Sequence, residues 1–220
     1  MMGGLEEVLV ISRKCLQGFD RFVQWSEASS IVTCARNNFE WLPRIEAENS
    51  KDWVQPIPCA LIRNHTYEYC VFRRVRQSRL DLHARISLVV GGHVDKHPKC
   101  ESFASYLIST LRRELQEELG IEDVTRARPI GLVIDSLSVS ASRHIAFVCE
   151  IDFSGPLKVQ APEEFSSRSK FSGNFFAPSE LRQFNTKFDP WSLVLFEDYI
   201  GSRYSKRTAR QIKMPYVLDE

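Results

Sequence analysis

The sequence predicts a mixed α/β fold in which a β-sheet is sandwiched by helices. Strand-like and helix-like stretches are interspersed along the chain instead of forming separate blocks. Apolar residues make up 43% and charged residues 26% of the 220 residues, which is ordinary for a globular protein with a core. The formal net charge of +1 gives no bias toward nucleic acid or membranes. We therefore expect one domain, with or without extensions.

The first half of the chain contains four strand-like stretches. EEVLVIS at 6–12 and PIPCALIR at 56–63 are apolar runs. NHTYEYCVFRRV at 64–75 follows the second run through an Asn-His turn signal, which predicts a hairpin. RISLVVGGHV at 85–94 is a β-branched run that ends in two glycines.

The second half begins with a helix and returns to strands. Residues 102–119 have helical periodicity, and 128–139 and 144–153 are strand-like. Residues 162–174 are polar and predict a loop, although their PEE could begin a helical turn. FFAPSELRQF at 175–184 predicts a short strand that leads into a helix.

The predicted organisation is a central domain with an extension at each end. DPWSLVLFEDYIG at 189–201 predicts a helix that Pro190 begins and Gly201 ends. The residues after it are basic and poorly patterned, so a solvated terminus is favoured over an RNA-binding segment. The expected parts are an N-terminal extension packed on the core, a central domain and a basic C-terminal tail, at 1–50, 51–201 and 202–220.

The cysteines and the amino terminus predict a cytoplasmic protein. The six cysteines are scattered and form no CxxC pair, which favours reduced, mostly buried thiols. MMGGLEEVLV is acidic where a signal peptide would be basic, and no apolar run reaches membrane-spanning length. We expect no membrane partner.

The helical stretch carries the residues that predict chemistry. At about 100° per residue, Glu114, Glu117 and Glu118 share one narrow face over a single turn. Ser102 is the expected N-cap and Gly120 the residue that ends the helix. The neighbouring apolar stripe, which would dock the helix on the sheet, consists of Ile108, Leu111, Leu115 and Leu119.

These carboxylates repel one another and lie near the negative end of the helix dipole, and a cation would relieve both penalties. Their hard oxygen atoms suit Mg²⁺ or Mn²⁺. A solvated acidic face is the alternative for a bare ELQEE string. The context favours a metal site, because Arg113 precedes the string, Gly120 follows it, and a strand ending in Gly91 and Gly92 lies upstream.

RELQEELGI at 113–121 resembles the second half of the Nudix box, REUxEExGU, in which U is a bulky aliphatic residue. GGHV resembles the start of that box. The family has a glutamate eight residues before the box arginine, where this chain has Ser105, and the intervening loop is several residues longer. The extra residues fall around Pro98, and Glu101 is a candidate to replace the missing glutamate as the partner of Arg113.

The resemblance spans 39–201 with varying strength and is closest to an extended-box subgroup of predicted phosphoesterases. It implies a Nudix-like α/β/α sandwich with a mixed β-sheet, an N-terminal extension and a C-terminal helix. Only RELQEELGI is highly specific.

Roles follow from the resemblance for the residues that match the box. Glu114 and Glu118 are the expected catalytic residues, and Arg113 and Gly120 have orienting or structural roles. Further carboxylates could come from a loop, at Glu163 and Glu164, or from a strand, at Glu150. The alternative that remains open is that Glu163 and Glu164 are an exposed loop pair and Glu150 an edge-strand glutamate, none of them in the site. The expected metal ligands are Glu114, Glu117, Glu118 and the carbonyl of Gly92.

The resemblance implies a Mg²⁺- or Mn²⁺-dependent hydrolase. Its substrate would be a small diphosphate, namely a nucleoside-diphosphate-linked or related metabolite whose pyrophosphate bond is cleaved by a metal-activated water. A Nudix-fold ligand-binding or regulatory module with weak catalysis is the alternative. Nucleic acid is not an expected partner, and a homodimer is left open.

Overall fold

The computed structural model describes residues 6–75, 85–134, 143–153, 155 and 157–204. The first five strands are β1 Glu7–Ser12, β2 Arg21–Gln24, β3 Phe39–Pro43, β4 Trp53–Arg63 and β5 Tyr69–Arg73. The later strands are β6 Ile86–Ser87, β7 Val89–Gly91, β8 Arg128–Ile134, β9 His144–Asp152 and β10 Ser172–Phe176. The α-helices are α1 Ser29–Asn37, α2 Arg44–Asn49, α3 Phe103–Leu119, α4 Pro178–Leu181 and α5 Pro190–Val194. Short 3₁₀ helices lie at Arg13–Leu16 and Arg182–Lys187, and a π-helical turn at Leu195–Ile200 continues α5.

The strands form one mixed sheet with the order β10-β5-β4-β9-β8-β2. Strand β4 is long and central, and it pairs in parallel with β9 from Gln55 opposite His144 to Arg63 opposite Asp152. The other pairings among the described strands are antiparallel, and β1 and β7 also join β4. The mixed sheet predicted from the interspersed elements is confirmed.

Side chains alternate between the two faces of β4, and each face is covered by helices. Cys59 and Leu61 pack into the cluster that includes α5 and its π-helical turn. Ala60 and Ile62 pack instead against α3, through Leu115 and its neighbours. The α/β/α sandwich is therefore confirmed, with α3 on one face and α5 on the other.

The N-terminal segment supplies strands to this sheet. Strand β1 pairs with β3 and with β4, and β2 pairs with β8 at one edge. Helix α1 lies near α3, and Trp41 on β3 packs edge-on against Tyr106 with ring centroids 5.0 Å apart. The sequence predicted only β1 in this region, so β2, β3, α1 and α2 are additions that the structure reveals.

Two of the six cysteines form a disulfide. Cys15 and Cys34 are bonded across 19 residues of sequence, so the prediction of reduced thiols is wrong for this pair. The physical reason is proximity, because the 3₁₀ helix carrying Cys15 packs on α1, with a Cα–Cα distance of 5.5 Å. The other four cysteines are free. None of the helices in the described ranges is long and apolar enough to cross a membrane.

Two details of the helices differ from the sequence predictions. Gly201 does not end the last helix: it has helical dihedrals (φ −62°, ψ −40°), and the helix continues through Tyr204. Ile108 is 54% exposed, because α3 turns its Phe103, Leu111, Leu115 and Leu119 side toward the sheet. The ends of two predicted segments, at 135–139 and 205–220, lie outside the described residues.

Candidate active site

Helix α3 is held at both ends by local contacts that the sequence encodes. The Ser102 hydroxyl accepts a hydrogen bond from the Ser105 backbone N–H, and Ser105 Oγ accepts one from the Ser102 N–H. Ser105, at the position where the Nudix box has a glutamate, is thus part of a capping box. At the other end Gly120 adopts a left-handed conformation (φ 67°), and its N–H donates to the Gln116 carbonyl.

The three glutamates of α3 have different exposures. Glu118 is 6% exposed and Glu114 is 9% exposed, one helical turn apart, while Glu117 extends toward solvent. Two buried carboxylates on adjacent turns are costly unless a partner compensates their charge. A solvated acidic face does not describe this arrangement.

Gly92 makes room for the carboxylate of Glu114. A Cβ atom at Gly92 would lie 2.1 Å from Glu114 Oε1 and 2.4 Å from its carboxyl carbon. The absence of a side chain therefore lets the backbone of the segment after β7 approach Glu114 directly. This close approach brings together two residues that the sequence predicted as metal ligands.

Arg113 is bound by carboxylates on α3 and in the long loop. Its Nη2 lies 2.8 Å from Glu114 Oε1 and 3.2 Å from Asp95 Oδ2, and its Nη1 lies 3.1 Å from Glu117 Oε2. The same Nη2 donates to the His93 carbonyl at 3.2 Å. Arg113 therefore orients Glu114 and Glu117 while it is tied to the loop.

The partner that the loop provides to Arg113 is Asp95 and not the predicted Glu101. Glu101 is exposed at the start of α3 and makes no ion pair with Arg113. Asp95 is placed by the backbone, because it forms a bridge with Val8 of β1. Sequence spacing could not identify this residue, since its position depends on where the loop passes β1.

Burial and the charges of neighbouring carboxylates raise the pKa of two glutamates of α3, Glu114 and Glu118. Burial, followed by the charges of Glu114 and Glu164, raises the pKa of Glu118 to about 9. Burial also raises the pKa of Glu114; Arg113 opposes that rise, and Glu117 and Glu164 add to it. Glu118 Oε2 is buried without a hydrogen-bond partner in the part of the chain that the structure describes. A cation would stabilise both carboxylates in their ionised form.

The three further candidate carboxylates lie in different places. The charge of Glu164 adds to the rise in the pKa of Glu114 and of Glu118, although the Glu164 side chain, like that of Glu163, is exposed. The loop that carries Glu164 is attached to the end of β5, where the Val75 N–H donates to the Glu164 carbonyl at 2.9 Å.

Glu150 belongs to a separate cluster on the opposite face of the sheet. It lies on β9, which is an interior strand between β4 and β8, so the edge-strand alternative is wrong. Its carboxylate is 2% exposed, accepts a hydrogen bond from the Tyr199 hydroxyl at 3.0 Å, and pairs with arginines. These arginines are Arg63, Arg128 and Arg203. This ion-pair network holds the last helix against the sheet and does not join the carboxylates of α3.

The residues of the cluster fit a hard divalent cation chemically. Carboxylate oxygens and a backbone carbonyl are the donors that Mg²⁺ accepts, and a cation would satisfy Glu118 Oε2. Among the described residues, no three His, Cys, Asp or Glu side chains already lie in a cation-binding arrangement. Arg113 forms ion pairs with Glu114 and Glu117, so a cation would compete with Arg113 for the oxygens of these carboxylates.

Comparisons with known proteins support the fold. No protein-family model matches the chain. Protein YmaB of Bacillus subtilis (strain 168) is 25% identical over 202 residues, which cover 87% of this chain and 96% of YmaB. The crystal structure of Tm1382, a candidate Nudix hydrolase, aligns with a TM-score of 0.68 and 19% identity over 90% of this chain and 100% of that chain. A MutT NUDIX hydrolase from Burkholderia pseudomallei aligns with a TM-score of 0.47 and 19% identity over 66% of this chain and 98% of that chain.

The extended-box subgroup stays a prediction, because none of these comparisons tests it. The alignment with Tm1382 covers the whole of that protein and 90% of this chain. The chain therefore has the Nudix fold that the resemblance of residues 113–121 implied.

Proposed function

We propose that this protein is a Mg²⁺- or Mn²⁺-dependent Nudix-type pyrophosphohydrolase. Its substrate is a small molecule with a pyrophosphate bond, namely a nucleoside-diphosphate-linked or related metabolite. One observation carries the proposal: Glu114 and Glu118 are buried on adjacent turns of α3, Glu114 faces Gly92 after β7, and Glu118 Oε2 has no hydrogen-bond partner among the described residues.

The residues that would hold the ion are Glu114, Glu117, Glu118 and the carbonyl of Gly92. When bound, the ion would supply positive charge to the diphosphate oxygens and make a water more acidic. Arg113 keeps Glu114 and Glu117 oriented, and Glu164 adds a fourth carboxylate near Glu118.

Proton movement in this proposal involves Glu118 and Glu114. A carboxyl group with a raised pKa holds its proton until a positive charge is close, and then releases it. In the ionised form, either glutamate would orient the attacking water or accept its proton, which is the task of a general base. Phosphoryl transfer depends mainly on such positioning and on charge stabilisation.

The domain limits are part of the same proposal. Residues 51–201 would form the catalytic domain, and 1–50 would be an extension that shapes the pocket or an interface between two copies. A cytoplasmic location is proposed as well, and the state of the Cys15–Cys34 disulfide in cells bears on it.

The test compares wild type with Glu118→Gln on a panel of nucleoside-diphosphate-linked compounds and dinucleoside polyphosphates, with and without Mg²⁺. Phosphate and nucleotide release are measured, and Mg²⁺ binding is followed by calorimetry. Glu101→Gln is the matched control, since Glu101 is an exposed glutamate next to the same helix. We expect turnover and Mg²⁺ binding in wild type and control, and loss of both in Glu118→Gln.

Two other outcomes have clear meanings. Absence of Mg²⁺ binding and of turnover in wild type contradicts the proposed function. Mg²⁺ binding together with diphosphate binding, but without turnover on any compound, favours the alternative of a ligand-binding or regulatory module.

A further inference from the structure

Arg74 places a positive charge beside the carboxylate cluster. It follows β5, and its Nε lies 3.8 Å from Asp189 Oδ2, just before α5. Its guanidinium carbon lies 5.4 Å from the ring centroid of Phe165. Phe165 belongs to the same core cluster as Leu115 and Leu119 of α3. Arg74 thus lies between α3 and the start of α5.

The contacts of Arg74 leave part of its hydrogen-bonding capacity unused. Its side chain is 15% exposed, and its Nε is buried without a hydrogen-bond partner in the described part of the chain. The same holds for Asp189 Oδ2. At 3.8 Å the two groups attract each other but are too far apart to hydrogen-bond.

The backbone holds Arg74 in position. Its N–H donates to the Arg85 carbonyl at 3.0 Å, and Arg74 forms a bridge with Phe165. Asp189 is equally fixed, because its Oδ1 accepts from the Ser192 N–H at 2.8 Å and its own N–H donates to the Ile86 carbonyl. Arg74 therefore has a defined place and is not a mobile surface arginine.

We propose that Arg74 binds a phosphate oxygen of the substrate beside Glu118, and that Asp189 and Phe165 hold its guanidinium ready for that contact. This inference rests on the proposed function. A guanidinium presents a planar set of N–H donors that matches two phosphate oxygens. A diphosphate bound near the carboxylates of α3 brings more negative charge than one divalent cation neutralises, and Arg74 would supply the balance. The ligand class is a diphosphate anion.

The experiment separates cation binding from diphosphate binding. Calorimetric titrations of the full chain use Mg²⁺ alone, and then methylenediphosphonate, a non-hydrolysable diphosphate, at saturating Mg²⁺. The variants are Arg74→Gln, Arg74→Lys and Asp189→Asn, and Arg73→Gln is the control because Arg73 is an exposed arginine at the adjacent position of the same segment. Thermal unfolding shows that each variant is folded.

Arg74→Gln is expected to weaken methylenediphosphonate binding by at least about tenfold, since a hydrogen bond between charged groups is lost. Arg74→Lys should give a smaller loss, because an ammonium keeps the charge but not the planar donor set. Mg²⁺ alone should bind Arg74→Gln as tightly as wild type or more tightly, because a positive charge near Glu118 is gone. A purely structural role would instead weaken the binding of Mg²⁺ and of methylenediphosphonate together.

Other results overturn the inference. If Arg74→Gln binds methylenediphosphonate like wild type, Arg74 does not contact phosphate, although the proposed function stands. If Arg74→Gln also loses Mg²⁺, Arg74 supports the carboxylates and not the substrate. If Arg74→Gln does not fold, Arg74→Lys is the deciding variant. An affinity of Arg74→Lys for methylenediphosphonate equal to that of wild type would then contradict the inference. Wild type that binds neither ligand overturns the proposed function itself.

Discussion

Arg113 Nη2 lies 3.2 Å from Asp95 Oδ2. The long loop therefore supplies a carboxylate partner for Arg113, whereas the Nudix box has a glutamate at the position of Ser105. The two side chains are 38% and 50% exposed. An ion pair of this exposure contributes little stability. It does, however, divide the Arg113 guanidinium between the loop and the two α3 carboxylates, Glu114 and Glu117.

Asp95→Asn is therefore expected to lower the free energy of unfolding by less than about 1 kcal/mol. Mg²⁺ affinity should fall by less than about tenfold, because Arg113 would shift onto the α3 carboxylates and compete more strongly with the cation. Denaturant unfolding and calorimetry measure these effects. Glu101→Gln should change neither quantity, and an equal loss in that variant would show that Glu101 is the working partner.

Gly92→Ala should abolish Mg²⁺ binding with little loss of stability. The new Cβ would lie 2.1 Å from Glu114 Oε1, the end of a side chain that can move away. Gly91→Ala is the contrasting variant, because its Cβ would lie 2.1 Å from the Pro58 carbonyl oxygen of β4. That clash is with backbone and should destabilise the sheet. Calorimetry and thermal unfolding distinguish the two, and wild-type Mg²⁺ affinity in Gly92→Ala would contradict the proposed role of this glycine.

The metal-free protein should lose stability as pH rises. The pKa of Glu118 is raised to about 9 from its ordinary value of 4.5, so the folded state binds this proton more tightly than the unfolded state does. Stability from this group is complete below the ordinary value and declines as pH approaches 9. Unfolding in the presence of a chelator over this range measures the decline, and Glu118→Gln should flatten it. Mg²⁺ affinity should rise with pH over the same interval, because binding displaces the proton.

Glu150→Gln should destabilise the protein without changing Mg²⁺ binding. Removing one partner from a buried ion pair costs about 3–5 kcal/mol, and Glu150 is 2% exposed among its arginines. Asp152→Asn is the matched control: Asp152 pairs with Arg63 at 2.7 Å but is 58% exposed, so its loss should cost at most about 1 kcal/mol. A fall in Mg²⁺ affinity in Glu150→Gln would contradict the separation of the Glu150 cluster from the α3 carboxylates by the sheet.

Reduction of the Cys15–Cys34 disulfide should lower the free energy of unfolding by about 3 kcal/mol, the value expected for a loop of its length, 19 residues. Thermal unfolding with and without a phosphine reductant measures the change. A Cys15→Ser/Cys34→Ser variant should be insensitive to the reductant. Disulfides are rare in the cytosol, so thiol labelling of protein taken directly from cells also tests the proposed cytoplasmic location.

The features that sequence predicted well are encoded locally. Helix α3 was predicted to within a residue because Ser102, Gly120 and the apolar spacing all lie inside one short stretch. The same locality accounts for the hairpin between β4 and β5, whose turn Asn64 stabilises through its side chain. Local signals were sufficient for these elements.

The features that sequence missed depend on contacts between distant parts of the chain. Strand β2 has one buried residue, Val23, so its alternation is too weak to recognise without the pairing to β8. Asp95 is placed near Arg113 by a bridge to Val8, and Arg74 takes its proposed position through a bridge to Phe165. No spacing rule within one segment identifies such residues.

The alternation of residues 92–94 determines where this chain can change length. Gly92 faces Glu114, the His93 ring packs on His144, and Val94 enters the core cluster that contains Phe103. The Leu9 N–H donates to the Val94 carbonyl, which fixes the register against β1. A one-residue insertion between Gly92 and Val94 would turn a side chain toward Glu114 and take the glycine away from it. Residues 96–99 are exposed, so insertions after Asp95 leave every one of these contacts intact. The loop can therefore change length at this point without displacing the α3 carboxylates.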